Sequence, residues 1–133
     1  MWIGGGDIIE SPIGGGVLRL LFTLIYMREA SNNGGYVGKE TQFKGKPNLP
    51  HGFHGVHISR EAVIGENVTI FQNVTIGSNN GAAIIGNNVL IGAGAIVLGD
   101  ICVGEGAKIG AGAIVVDDVP NGATVISPKA KIL

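Results

Sequence analysis

From Ile58 onward an aliphatic residue returns every six positions, through Ile64, Ile70 and Ile76, and then through Ile85, Ile91, Val97, Val103, Ile109 and Val115. A period of six fits neither the 3.6-residue helical turn nor a heptad. Four places after the aliphatic stands a small or β-branched residue: Ala62, Val68, Val74, Val89, Ala95, Ile101, Ala107, Ala113 and Val119. Positions i and i+4 share a parity, so both face one side of an extended segment. A bend must then intervene before the next unit. Glycines directly after the aliphatic (Gly65, Gly77, Gly86, Gly92, Gly104, Gly110) and Asn or Asp residues near each bend tolerate the backbone angles it needs. Three such units close a triangular coil of about 18 residues, and stacked coils bury one another's aliphatics. The pattern predicts an all-β parallel β-helix of about five coils, from about Val37 to about Val125.

Two departures from the period mark loops. Ile76 to Ile85 is nine residues, so three extra residues bulge out within 78–84. A weaker upstream series runs Val37, Phe43, Leu49, and Leu49 to Ile58 is again nine, which places His51, Gly52, Phe53, His54 and Gly55 in a second bulge. Loops on a rigid scaffold are where sites are built.

Composition narrows the classes. Nine Lys plus Arg against ten Asp plus Glu argue against a nucleic-acid surface. The single cysteine, Cys102, excludes an internal disulfide and a Cys-based zinc site, and fits a reducing, cytoplasmic setting. The one long apolar run, 17–26, is too short to span a bilayer and carries no signal-peptide frame. It reads as a short helix from Val17 to about Glu29, with a membrane-surface helix as the sharper alternative. The chain thus divides into an N-terminal segment, 1–35, and a repeat domain, 36–133. A short prism with small apolar residues on its faces is expected to associate about a threefold axis.

These units resemble the hexapeptide-repeat acyltransferases, and within them serine O-acetyltransferases and related glycan O-acetyltransferases. The likeness is carried by AVIGENVTIFQNVTIG (62–77), IGNNVLIGAGAIVLGDICVGEGAKIGAGAIVVDDVP (85–120), the tail KAKIL (129–133) and LPHGFHG (49–55). It implies a left-handed coil, a homotrimer with active sites between subunits, and acetyl-CoA as co-substrate. It also implies that His51 is the catalytic histidine, since Leu-Pro-His-Gly is the form in glycan-modifying members.

The chemistry suits a histidine. A protonated alcohol is a poor nucleophile, and imidazole titrates near neutral pH. The thioester carbonyl becomes an oxyanion that N–H groups of a glycine-rich loop can stabilise. His51 is therefore expected to act as general base in a direct transfer. His54 is its rival in the loop, and His57 reads as an outward strand residue. Three histidines so close also suggest a metal, but zinc-binding members of the fold spread their ligands over coils and subunits, so none is expected here. By resemblance, an acid about one coil earlier orients the base; the matching place is near Tyr36, and the nearest acid is Glu40. Motif matching puts coenzyme A contacts at Ser78, Ala93, Ala111 and Lys131, the last meeting a phosphate as a point charge.

Serine O-acetyltransferases carry Asp directly before the histidine, where this chain has Pro50, and Arg-His in the later loop, where it has Gly81 and Ala82. Those groups would hold an amino acid. The leading expectation is accordingly a sugar or glycan hydroxyl as acceptor, with Phe53 and Tyr36 read either as aromatic surface for it or equally as packing residues. A serine O-acetyltransferase-like enzyme is the alternative, and a non-catalytic trimeric scaffold the third reading.

Overall fold

A computed structural model describes residues 16–133; of the N-terminal segment, residues 1–15 lie outside it. Among the described residues, thirteen strands of two or three residues pair only in parallel and form three flat faces. Face A stacks β1 (Tyr36–Val37), β3 (His57–Ile58), β6 (Thr75–Gly77), β9 (Ile96–Leu98) and β12 (Ile114–Val115). Face B stacks β2 (Gln42–Phe43), β4 (Val63–Ile64), β7 (Ile84–Ile85) and β10 (Cys102–Val103). Face C stacks β5 (Thr69–Ile70), β8 (Leu90–Ile91), β11 (Lys108–Ile109) and β13 (Thr124–Val125). Single bridges, Val103 to Val119 and Asn48 to Thr69, add a fifth rung to faces B and C. The result is a three-sided solenoid, consistent with the left-handed β-helix expected. Regular strands alone account for a little over four turns, and the two bridges complete the fifth.

Successive partners on face A (Val37, Ile58, Ile76, Val97, Val115) lie 21, 18, 21 and 18 residues apart. Both longer coils shed their extra residues at a corner and rejoin the register, with Val56 and Ala83 taking the inward place that precedes the next strand. The inward aliphatics are sealed: Ile58, Ile64, Ile70, Ile76, Ile85, Ile91, Val97, Val103 and Ile109 are all inaccessible to solvent. Where the corner needs a left-handed residue, asparagine serves as well as glycine: Asn67, Asn73 and Asn88 have φ of 54°, 60° and 58°. The amides of Asn67 and Asn88 add a polar ladder outside their corner, Asn48 Nδ2 donating to Asn67 Oδ1 at 2.7 Å and Asn67 Nδ2 to Asn88 Oδ1 at 2.8 Å.

The apolar run forms α1 (Gly16–Asn32), longer than expected at both ends. It stops where Gly34 turns left-handed at φ 71° and Gly35 N–H returns to Ala30 O at 2.8 Å. Thr23, Tyr26 and Ala30, at the spacing of one helix face, lie buried against the first coil. Tyr26 meets Phe43 edge-on at 4.9 Å and Phe53 at 5.7 Å. The opposite side, including Val17, Leu18, Leu21, Leu24 and Ile25, is exposed. Among the described residues no helix is long and apolar enough to cross a membrane.

Two adjacent residues test the alternation. Ile91 points inward and is sealed, whereas Leu90 points outward and is 37% exposed. Ile91→Ala is expected to lower stability by about 2–5 kcal/mol, and Leu90→Ala by about 0.5 kcal/mol or less, as read from urea unfolding.

Candidate active site

The three corners sort the expected residues. The corner between face C and the next rung of face A, here the CA corner, carries the first bulge. Its residues 50–55 form a run of turns. The loop is fixed by its own backbone: Gly52 N–H to Leu49 O and Val56 N–H to Phe53 O, both 3.0 Å. It is tied above to the end of α1 by Gly55 N–H to Asn33 O at 3.0 Å, and below to the second coil by Asn73 N–H to His54 O at 2.9 Å. Gly52 and Gly55 both have φ near +63°, and a Cβ on Gly55 would strike the Asn73 side chain. Phe53 is the anchor. It is 1% exposed, pressed against Tyr26. It therefore holds the loop down and offers no surface to a sugar, which selects the packing reading for it; Tyr36 is 52% exposed.

With Phe53 turned in, His51 and His54 are turned out. His51 is exposed, its ring 6.1 Å from Phe71 in the coil below. His54 is exposed as well and contributes its carbonyl to the fixing of the loop. His57 lies outward on β3, with Nδ1 3.0 Å from Gly55 O. The carbonyl selects the tautomer with hydrogen on Nδ1. Among the described residues no group of three His, Cys, Asp or Glu side chains is arranged to hold a metal.

Register carries the CA corner downward. Asn48, Thr69, Leu90, Lys108 and Thr124 are successive partners on face C. Three residues further along each rung stand His51, Gln72, Ala93, Ala111 and Ser127. Hydrogen bonds confirm the stacking: Gly94 N–H to Gln72 O at 3.1 Å, Gly112 N–H to Ala93 O at 2.9 Å, and Ser127 Oγ to Ala111 O at 3.5 Å. Ala93 and Ala111 thus share one edge with His51, and the tail leading to Lys131 leaves from its foot. Lys131 itself is exposed. Gln72 was not foreseen from the sequence, although a long polar residue at a place that other coils fill with alanine was visible there.

Two expected residues fall elsewhere. Glu40 lies on the corner between faces A and B, the AB corner. Its carboxylate takes both ends of the Arg60 guanidinium, Oε1 to Nη2 at 2.8 Å and Oε2 to Nε at 3.3 Å. That contact holds the Arg60 guanidinium above its ordinary pKa. Glu40 therefore does not orient His51 within this chain: it is on another corner with another partner. Ser78 also sits on the AB corner, opening the second bulge, which closes through a Ser78–Ala82 bridge and Asn79 N–H to Gly81 O at 2.9 Å. It does not share an edge with Ala93 and Ala111. Gly81 packs over Asp100, so a side chain there would meet the Asp100 Cβ.

Cys102 is outward on β10 and half-buried. Burial pushes its thiol pKa up, and the nearby carboxylates of Asp118 and Asp100 push the same way.

Residues 82–117 match the family described as bacterial transferase hexapeptide (six repeats). A serine acetyltransferase of Helicobacter pylori is 44% identical over 90 residues, 64% of this chain and 52% of that protein. The crystal structure of serine acetyltransferase isoform 3 of Entamoeba histolytica, in complex with cysteine, superposes with a TM-score of 0.73 at 26% identity, covering 96% of this chain and 57% of that one. Soybean serine acetyltransferase complexed with serine is 40% identical, with a TM-score of 0.63 over 71% of this chain and 41% of that one. The chain spans about half the length of these relatives.

Two outcomes are expected. Phe53→Ala should cost about 3–5 kcal/mol in urea unfolding and open 50–55 to limited proteolysis, since the loop's buried anchor is gone. Cys102 should alkylate more slowly than free cysteine at pH 8, because a raised pKa lowers the thiolate fraction, and the rate should climb as pH rises further.

Proposed function

We propose that this chain, which belongs to the hexapeptide-repeat acyltransferase superfamily, is an acetyl-CoA-dependent O-acetyltransferase with His51 as general base. The observation that carries the reading is the shared edge: an exposed histidine on an anchored loop stands at the head of a corner whose lower rungs, Ala93 and Ala111, present nothing larger than a methyl group. Such an edge fits a long, thin arm ending at the histidine. His51 takes the proton of the acceptor hydroxyl as its oxygen bonds to the thioester carbonyl carbon. The C–S bond then breaks, and the proton passes to the departing thiolate. Stabilisation of the developing oxyanion falls to loop N–H groups other than those of Gly52, Gly55 and Val56, which are already bonded to backbone carbonyls. Ala93 and Ala111 admit the pantetheine arm, and Lys131 in the tail meets a phosphate. His54 is an accessory group on the same loop.

For the acceptor, the relatives favour serine over the sugar expected from Pro50, Gly81 and Ala82. The H. pylori relative is a serine acetyltransferase, and the soybean structure holds serine. The relatives named above are serine acetyltransferases, so the serine-like reading takes precedence over the glycan. The Ser78 loop and the His51 loop lie at the two edges of face A. A homotrimer that sets the AB corner of one protomer against the CA corner of the next would join them in one cleft, and would bring Ser78 back to coenzyme A.

The test follows thiol release from acetyl-CoA with L-serine and with a set of sugars. Serine is expected to be the better acceptor, and His51→Ala to lower kcat by about 100- to 10,000-fold while the unfolding midpoint stays unchanged. Full activity of His51→Ala sinks the assigned base, and faster turnover of a sugar sinks the acceptor. Sedimentation of the wild type as a monomer removes the shared cleft.

A further inference from the structure

α1 is apolar on two sides, and the described residues cover only one of them. Tyr26, buried on the covered side, packs on Phe43 of the first coil. Thr23 Oγ1 donates to Thr41 O at 3.4 Å on the AB corner. Asn33, just past the helix, accepts the Gly55 N–H from the CA corner. α1 therefore crosses the end of the solenoid from one corner to another, over strands β1 and β2, which end their stacks. Its far side is an end surface of the molecule. There Val17, Leu18, Leu20, Leu21, Leu24 and Ile25 are 41–88% exposed. Six large aliphatics side by side exceed the scattered apolar residues of an ordinary surface, and such a patch marks an interface. Charge selects what meets it. Over α1 and the first coil, 16–56, five Lys and Arg stand against two Glu, and one of these, Glu40, is held by Arg60. Over 57–133 the balance reverses, with four Lys and Arg against six Asp and Glu. Arg28, Lys39 and Lys46 are exposed, and Arg28 continues the helix face of Leu21 and Leu24. A second copy docked here would bring like charge to like, because the strip from Val17 to Ile25 offers no acid to its Arg28.

We propose that the exposed face of α1 docks the protein on an anionic membrane surface, the aliphatics entering the boundary between headgroups and acyl chains and Arg28, Lys39 and Lys46 meeting lipid phosphates. At about 1.5 Å per residue the strip from Val17 to Ile25 is about 12 Å long. It lies along a bilayer and does not cross it. Apolar contact and charge act together: the strip is short, and a few exposed cations alone are screened by salt. The orientation follows from the fold. The coils project away from the lipid, and the exposed carboxylates of Asp117 and Asp118 on the last coil lie farthest from the anionic headgroups.

The test floats the full chain through a density gradient with vesicles of phosphatidylcholine alone, and with vesicles of phosphatidylcholine and phosphatidylglycerol. Partition into the anionic vesicles is expected to exceed that into the neutral ones by about 30-fold or more, and to fall as salt is raised. Leu21→Gln combined with Leu24→Gln should lower it by about 10-fold or more. Arg28→Gln combined with Lys39→Gln should lower it by about 10- to 30-fold. Both variants alter exposed side chains, so their unfolding midpoints in urea should match wild type. Should the leucine variant fall in midpoint, the cation variant decides alone. Equal partition into both kinds of vesicle, or into neither, overturns the proposal, as does a well-folded leucine variant that floats like wild type. If the vesicles are ignored and the leucine variant sediments at lower mass than wild type, a second copy covers this face and the proposal falls.

Discussion

Everything in this molecule depends on like residues lying directly over like residues from coil to coil. The backbone sets the stack: His57 N–H reaches Val74 O at 2.9 Å, Thr75 N–H reaches Ala95 O at 3.0 Å, and Ile96 N–H reaches Ala113 O at 2.9 Å. Side chains follow, so Ile58, Ile76 and Val97 form one sealed column and Ile70, Ile91 and Ile109 another. Each rung satisfies the polar groups of its neighbour and closes its apolar interior at once. Strands of two residues suffice for this reason: cohesion comes from repetition along the axis.

That regularity made the interior legible from spacing alone. A period of six and a fixed i, i+4 pair are the direct consequence of two inward places per side, and the two nine-residue gaps could only be bulges. The cap was not legible in the same way. Tyr26, Phe43 and Phe53 meet across 27 residues of chain, and a contact between a helix and an irregular loop has no period to announce it. For that reason spacing leaves Phe53 open between a ligand surface and a packing residue, and only the fold makes it the loop's anchor. Corners were a partial case. Nearness in sequence pairs Glu40 with His51, and motif groups Ser78 with Ala93 and Ala111, but their distance from the nearest aliphatic, counted in sixes, puts both on the AB corner. The physical rule was present in the sequence, beneath the motif and the nearness that obscured it.

The candidate site draws its order from elements that take no part in the chemistry. Asn33 at the end of α1 holds Gly55, His54 holds Asn73, and Phe53 is gripped by Tyr26. The loop has no regular secondary structure, yet it is fastened above, below and inward, which leaves the side chains of His51 and His54 as its outward-facing parts. The AB corner is differently furnished, with an exposed Glu40–Arg60 pair and the carboxylates of Asp100, Asp117 and Asp118. Any ligand held between the two edges of face A meets a neutral, small-residue side and a charged one.

The alternation of 21- and 18-residue coils has a meaning of its own. In most folds a three-residue insertion pushes every later residue out of place. Here the excess is expelled sideways, and the chain re-enters the stack at Val56 or Ala83 as though nothing had been added. Corner loops in such a scaffold are therefore independent cassettes. Their length and chemistry can be rewritten while the columns beside them keep the same neighbours, so a solenoid of this kind can change what it recognises without having to solve its folding problem again.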